Sequence, residues 1–351
     1  MKKLFLIVFA VVLALSLIAC APTATEEPAA EEPAAGESAE EPVADEPADE
    51  PKEVKTIVIA ATGLHLDQFT NVLMNGYRSK AEELGIEILI ANSELSLDKE
   101  AETINNFIEA GIDALIIEPV SPSATATLAE AAAARGIPVF ACAIPIISDE
   151  IFASSINDPY DLGTVAGEAT APWLEENFGK DAPINCALLT FDSADAEGSE
   201  SRIKGFQDQV TDYDLNFVAR QDVLGDKGFQ VVTDILTQNP DLDIIYSNCE
   251  VGLVAAHNAI VAAGRVGEVF AFGVDCSAQL CDMMLEEEII LVAVAQAPFG
   301  QGQYAVETMY NYIMNGTLPD EKHMKMPSIL VQKSDPEGIA EFKANWEERA
   351  K

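Results

Sequence analysis

From Lys55 onward, short apolar runs alternate with longer stretches in which apolar positions recur every three or four residues. The short runs are KTIVIAA (55–61), IEILIA (86–91), ALIIEPV (114–120), IPVFACA (137–143), IFASSI (151–156), INCALLT (184–190), LNFVARQ (215–221), DIIYS (243–247), VFAFGV (269–274), ILVAVA (290–295) and MPSILV (326–331). Such runs predict strands, most of them buried on both faces. The intervening stretches predict helices over 66–84, 97–110, 121–136, 160–177, 197–211, 226–238, 249–263, 277–286 and 298–314. A short charged helix from Pro336 onward, helped by Phe342 and Trp346, closes the pattern. Gly85, Gly111 and Gly136 end helices, while Ser121-Pro122 and Asp158-Pro159 start them. Strands alternating with helices imply parallel sheets covered on both faces. The strands exceed one comfortable sheet, so the fold class is α/β with two doubly wound, Rossmann-like lobes.

Three of the apolar runs end in a hydrogen-bonding side chain and lead into a helical pattern. They stop at Ser247-Asn248, at Asp275 and at Gln296. The carboxyl ends of strands border the ligand crevice of an α/β sheet. An amide, a carboxylate and a second amide on one rim suit a small polyhydroxylated molecule. A carboxylate accepts from two hydroxyls, and an amide donates to one oxygen while accepting from another. Asp275 has a second possible role, as the N-cap of the helix that follows.

Charge changes the picture at the N-terminal end. The chain of 351 residues carries a formal charge of −39 and a pI near 4.1. No basic stripe is visible, which argues against nucleic acid as a partner. Lys2 and Lys3 followed by the apolar segment Leu4–Leu17 predict an export signal, too short to span a membrane comfortably. Its ending, Leu17-Ile18-Ala19-Cys20, resembles the bacterial lipobox, which implies a diacylated Cys20 and a membrane anchor made of lipid. The alternative is an ordinary signal peptide cut near Ala19 or Ala21. Residues 21–53 are a run of Pro, Ala and Glu with little to bury, read as a disordered, extended tether rather than an acidic recognition tail.

Candidate catalysis finds little support. There is no P-loop, no G-x-G-x-x-G, no H-E-x-x-H and no G-x-S-x-G, and the three histidines, His65, His257 and His323, are not spaced as a triad. Neither a cofactor nor a metal is implied. Cys142, Cys186, Cys249, Cys276 and Cys281 match no zinc spacing and read as small buried residues. A bridge between Cys276 and Cys281 is conceivable, since they lie five apart at a strand-to-helix turn.

Four stretches together carry a resemblance. They are Gly76-Tyr77 with Ala81-Glu82-Glu83-Leu84-Gly85, then Asn157-Asp158-Pro159-Tyr160-Asp161-Leu162-Gly163 with Ala166-Gly167, then Arg202-Ile203-Lys204-Gly205-Phe206, and last Asn248, Gly273-Val274-Asp275 and Gln296. In this order and spacing the chain resembles the type I periplasmic solute-binding proteins, within them the ribose- and galactose-type group, over residues 55 to about 333. The resemblance implies two lobes joined by a three-segment hinge near Asn157–Asp158, Gln296–Ala297 and Lys325–Pro327. The lobes would be 55–157 plus 297–326 and 158–296 plus 327–335, with 336–351 as a helical tail. It also implies that Asn248, Asp275 and Gln296 bond sugar hydroxyls. His65, Asp67, Gln68 and Phe69 would contribute from the loop after the first strand, with Phe69 as a stacking face or a core anchor. Asp158 is a helix cap that can also reach ligand at the hinge.

Two departures from ribose binders stand out. Their Asp–Arg pair after the fourth strand is replaced by Ala143-Ile144, and a ligand-binding Arg is replaced by Glu200. Arg202 remains, with a structural role implied. The implied function is capture of a small neutral monosaccharide or polyol, and delivery to the permease of an ABC transporter. The protein is expected to act as a monomer, anchored outside the cytoplasmic membrane. A lipoprotein that presents its liganded form to a membrane receptor is the alternative. A sugar-responsive transcription regulator of the same fold is disfavoured by the export signal.

Overall fold

In the computed structural model the described residues are 56–64 and 68–351. The expected signal and lipidation site Cys20, the acidic run 21–53, and the candidate residues His65 and Asp67 lie outside them. The first half forms β1 (Val58–Gly63), α1 (Gln68–Leu84), β2 (Glu87–Asn92), α2 (Leu97–Ala110), β3 (Ala114–Ile117), α3 (Ala126–Ala133), β4 (Val139–Cys142), β5 (Ala153–Ile156) and α4 (Pro159–Asn177). Then come β6 (Pro183–Thr190), α5 (Ala196–Gln209), β7 (Asp214–Asp222), α6 (Gly228–Gln238), β8 (Ile244–Ser247), α7 (Glu250–Ala263) and β9 (Phe270–Val274). The chain ends with α8 (Ala278–Glu286), β10 (Ile290–Ala295), α9 (Pro298–Asn315), β11 (His323–Lys325), β12 (Ile329–Gln332) and α10 (Pro336–Arg349).

The strands make two sheets, ordered β11-β5-β4-β3-β1-β2 and β12-β10-β9-β8-β6-β7. Every pairing is parallel except that of β12 with β10. The expected α/β fold of two doubly wound sheets is therefore what the chain adopts. Alternate residues explain why both faces must be covered. On β1, Ile59 and Ala61 join one buried cluster and Ala60 another; on β8, Ile244 and Tyr246 face one way and Ile245 the other. Strand order reverses between β1 and β3 in one sheet and between β6 and β8 in the other, which opens a crevice at each point.

Two local expectations differ from the structure. The helix expected from Ser121 starts only at Ala126. The Ser121 Oγ accepts from the Ala124 N–H, and the Thr125 hydroxyl donates to the buried Glu100 carboxylate at 2.7 Å. These bonds hold residues 121–125 in turns rather than in a first helical turn. The short strand β11 was not expected; it adds His323-Met324-Lys325 to the edge of the first sheet beside β5.

The chain passes between the sheets three times: after β5 at Asn157, after β10 at Gln296, and between β11 and β12. Asn157 ties these passages together. Its Nδ2 donates to the Met326 and Pro327 carbonyls at 3.0 and 3.1 Å, and its Oδ1 accepts from Gln301 Nε2 at 3.0 Å. Each sheet also carries one helix pair in unusually close contact. A Cβ on Gly163 of α4 would lie 1.9 Å from the Arg202 carbonyl of α5, and one on Gly76 of α1 would lie 2.3 Å from the Phe299 carbonyl of α9. Gly205 and Gly302 answer them from the facing helices, so both backbones can touch.

Helix α10 docks on α8 and β12, with Lys343 Nζ 2.5 Å from Asp282. Its last turn reaches α1 and α9. Asn75 Nδ2 donates to the Arg349 carbonyl, and the Arg349 guanidinium lies over the Phe299 ring. A cavity of about 240 Å³ beneath it is lined by Gln296, Phe299, Ile329 and Trp346. It shares Gln296 with the strand-end rim but neither Asn248 nor Asp275.

Candidate ligand site

The rim at the carboxyl ends of β6, β8, β9 and β10 gathers most of the candidate residues of the second sheet. Asp275 leaves β9 with φ +69°, a left-handed conformation uncommon for a residue with a side chain. It does not cap the next helix; the N-cap of α8 is Ser277. The Asp275 carboxylate is instead held from two sides. Its Oδ2 accepts from Arg202 Nη1 at 3.0 Å, and its Oδ1 accepts from Gln296 Nε2 at 2.8 Å. Arg202 Nη1 also donates to the Asn248 carbonyl at 2.8 Å, and its guanidinium rests on the Phe191 ring. One cation thus joins the ends of β8 and β9, and Gln296 adds the end of β10.

Asn248 is brought to the same place but faces inward. It is fully buried, and its Nδ2 donates to the Ser199 hydroxyl at 2.7 Å and the Ser199 carbonyl at 3.2 Å. Its buried Oδ1 has no protein partner, so one acceptor is unspent. The bonds continue outward: Ser199 Oγ donates to Asp192, and Arg220 bonds both Asp192 and Glu200, the latter at 2.7 Å. Burial alone would raise the Asp192 carboxyl. The bonds from Arg220 and Ser199 outweigh it and hold the group below its usual range. Glu200 therefore reaches the site as an exposed carboxylate already committed to Arg220.

Asp158 caps α4, accepting from the Tyr160 N–H at 2.9 Å, and its other oxygen lies 2.6 Å from Lys325 Nζ. Burial pushes this carboxyl up, but Lys325 and the capping N–H overcome that and lower it. Its place is the first passage between the sheets, beside the third. On the first sheet, Gln68 begins α1 and is exposed, whereas Phe69 is half-buried and packs on the core beneath α1. The structure thus supports the anchoring role for Phe69.

Sequence reasoning passed over several rim residues. Arg202, set aside as structural, touches Asp275 directly. Glu118, after β3, accepts from the Leu64 N–H at 2.8 Å and from Thr70, and so ties the residue after β1 to the first turn of α1. Asn92 ends β2 with a buried Nδ2 that has no protein partner. Both follow the rule that picked out Asp275, a polar side chain closing an apolar run. Ala143 follows β4 with φ +64°, the same place in the first sheet that Asp275 holds in the second. Cys142 before it is buried and bonded to Ser155, and burial pushes its thiol up to about 12, so it is inert.

Residues 59–317, spanning both sheets, match the family model of the periplasmic binding protein domain. The chain belongs to the type I periplasmic binding proteins. Among relatives of this family, the D-apiose import binding protein of Actinobacillus succinogenes is 24% identical over 296 residues, 82% of this chain and 91% of that protein. The ribose import binding protein of Bacillus subtilis is 25% identical over 258 residues, 73% of this chain and 81% of that one. The solved ABC transporter solute-binding protein of Bacillus halodurans, with bound myo-inositol, superposes with a TM-score of 0.71 at 21% identity, covering 82% of this chain and 98% of that one. These relatives are binding proteins rather than enzymes.

Proposed function

We propose that this periplasmic binding protein captures a small neutral sugar or polyol between its two sheets and delivers it to an ABC permease. The observation that carries the neutral reading is the state of the rim cations. Arg202 is paired with Asp275, Arg220 with Asp192 and Glu200, and Lys325 with Asp158. A carboxylate or phosphate ligand would meet no free cation there among the described residues. A polyhydroxylated ligand meets oriented acceptors and amides, which suit hydroxyl groups. The relatives named for D-apiose and ribose, and the one holding myo-inositol, support the same class.

In this reading the lobes are 55–157 plus 297–326 and 158–296 plus 327–335, with 336–351 as a tail, and they close about the three passages that Asn157 links. Asp275 and Gln296 hold ligand from one side, with only the unspent Oδ1 of the inward-facing Asn248 left to join them, and His65, Asp67 and Gln68 would meet it from the other. Asp158 and Glu200 stay at the edge. Diacylated Cys20 would keep the protein, as a monomer, on the outer side of the membrane. No helix of the described residues is long and apolar enough to cross a membrane.

A thermal-shift screen of sugars, polyols, nucleosides and organic anions tests the ligand class. A neutral sugar or polyol at a hundred times its Kd should add about 2.7 kcal/mol to stability and raise the melting midpoint by several degrees. Stabilisation by anions or nucleosides alone would refute the sugar-or-polyol reading.

A further inference from the structure

Directly behind Asp275, two cysteines meet at the start of α8. Cys276 and Cys281 lie with their sulfurs 3.8 Å apart, the sole contact between cysteine sulfurs among the described residues. Both are buried, at 3% and 0% exposure. Their places in the helix explain the meeting. Ser277 is the N-cap, its hydroxyl accepting from the Leu280 N–H, and Ala278 is the first helical residue. Cys276 is then the residue before the cap and Cys281 the fourth of the helix. These are the two positions that pack together as a hydrophobic staple and fix the angle at which the chain enters a helix. Here the staple is made of two thiols.

The pair is also chemically unlike the other cysteines. Burial pushes the thiols of Cys142 and Cys186 up to about 12 and that of Cys249 up to about 11. Among the described cysteines Cys281 alone is lowered, because the Cys276 thiol hydrogen-bonds to it, and Cys276 is raised by the same bond. The two thiols thus lie in contact, each within reach of a mixed disulfide formed on the other.

We propose that Cys276 and Cys281 form a disulfide that makes the staple covalent and fixes the turn carrying Asp275. Drawing the sulfurs from 3.8 Å to about 2.0 Å is a side-chain movement within one turn. The oxidant is a disulfide-bearing donor, either a protein oxidoreductase or an oxidised small thiol. The Cys281 thiolate attacks one donor sulfur, and the other donor sulfur leaves as a thiolate. Cys276, having lost its proton to solvent, then attacks the Cys281 sulfur and expels the second donor sulfur. The two cysteines lose two protons and two electrons, and the donor disulfide becomes two thiols. Since both sulfurs are buried in the folded protein, the exchange takes place before α8 docks beneath α10. The closeness of the two positions in sequence lets the bridge form early.

The full chain, exported and purified without reductant, is denatured in N-ethylmaleimide and cut before Asp275 and Asp282. Peptide 275–281 is expected unlabelled and lighter by two hydrogens, with Cys142, Cys186 and Cys249 labelled. Two labels on that peptide, even after refolding with oxidised glutathione, would overturn the proposal. As a second readout, reduction should lower the melting midpoint of the wild type by about 4 °C and leave that of Cys281→Ala unchanged. A wild-type midpoint that ignores reductant overturns the stabilising role.

Discussion

Asp275→Ala is expected to weaken binding of the best neutral ligand found in the thermal screen by at least about 100-fold, read by titration calorimetry. Two hydroxyl contacts to a carboxylate contribute about 1.5–3 kcal/mol each, and each 1.4 kcal/mol is tenfold in Kd. The fold should suffer less but measurably. Arg202, with 12% of its side chain exposed, loses its carboxylate partner among the described residues, and a partly buried cation left uncompensated there costs about 2 kcal/mol. Two controls separate these effects. Asp275→Asn keeps an acceptor for Arg202, so it should recover most of the stability and little of the affinity. In Arg202→Met combined with Asp275→Ala the stability losses should not add, because the charge left behind by one change is removed by the other. Wild-type affinity in Asp275→Ala would take this carboxylate out of the site.

The second large effect concerns stability. Gly163→Ala places a methyl group 1.9 Å from the Arg202 carbonyl oxygen, 2.8 Å from its carbon and 3.0 Å from the Phe206 nitrogen. All three atoms are backbone of α5, so no side chain can swing aside, and α4 and α5 must separate. A loss of about 3 kcal/mol is expected, roughly 5–10 °C in the melting midpoint measured by calorimetry. Affinity should fall as well, because the displaced turn is the one that aims Arg202 at Asp275. Gly300→Ala is the contrasting case. Its new Cβ would meet only the Met326 methyl at 3.7 Å, an ordinary contact, and alanine is the better helix former. A midpoint for Gly163→Ala as high as that of Gly300→Ala would refute the close-contact argument.

Much of this was legible along the chain because burial on both faces leaves a continuous apolar run, and a run that stops at a polar residue marks a rim. That logic found Asp275 and Gln296, and it would have found Glu118 and Asn92 had it been carried to the first sheet. It could not show where a side chain turns. Asn248 ends its strand as expected, yet its amide nitrogen serves Ser199, a partner 49 residues away. The Arg202–Asp275 pair spans 73 residues and leaves no periodic trace. Thr125 looked like part of a helix because its bond to Glu100, 25 residues back, is invisible in propensity. β11 escaped notice because three residues at a sheet edge, two of them polar, carry no alternation worth reading.

The three passages between the sheets have a consequence for biosynthesis. A ribosome makes the chain from its N-terminal end, yet neither half of the fold is a continuous segment. Ala305, Val306 and Met309 of α9 belong to the core beneath β1 and β4, and β11 pairs with β5. The first sheet therefore cannot finish until residues 298–325 have been made, long after its other strands. The second waits for β12, whose Val331 lies in its core. Synthesis holds both halves open until nearly the end, when they complete within a few dozen residues of each other. A nascent chain stopped after Gln296 should thus leave residues 56–157 open to thermolysin, and resistance there would show that the first half folds without α9.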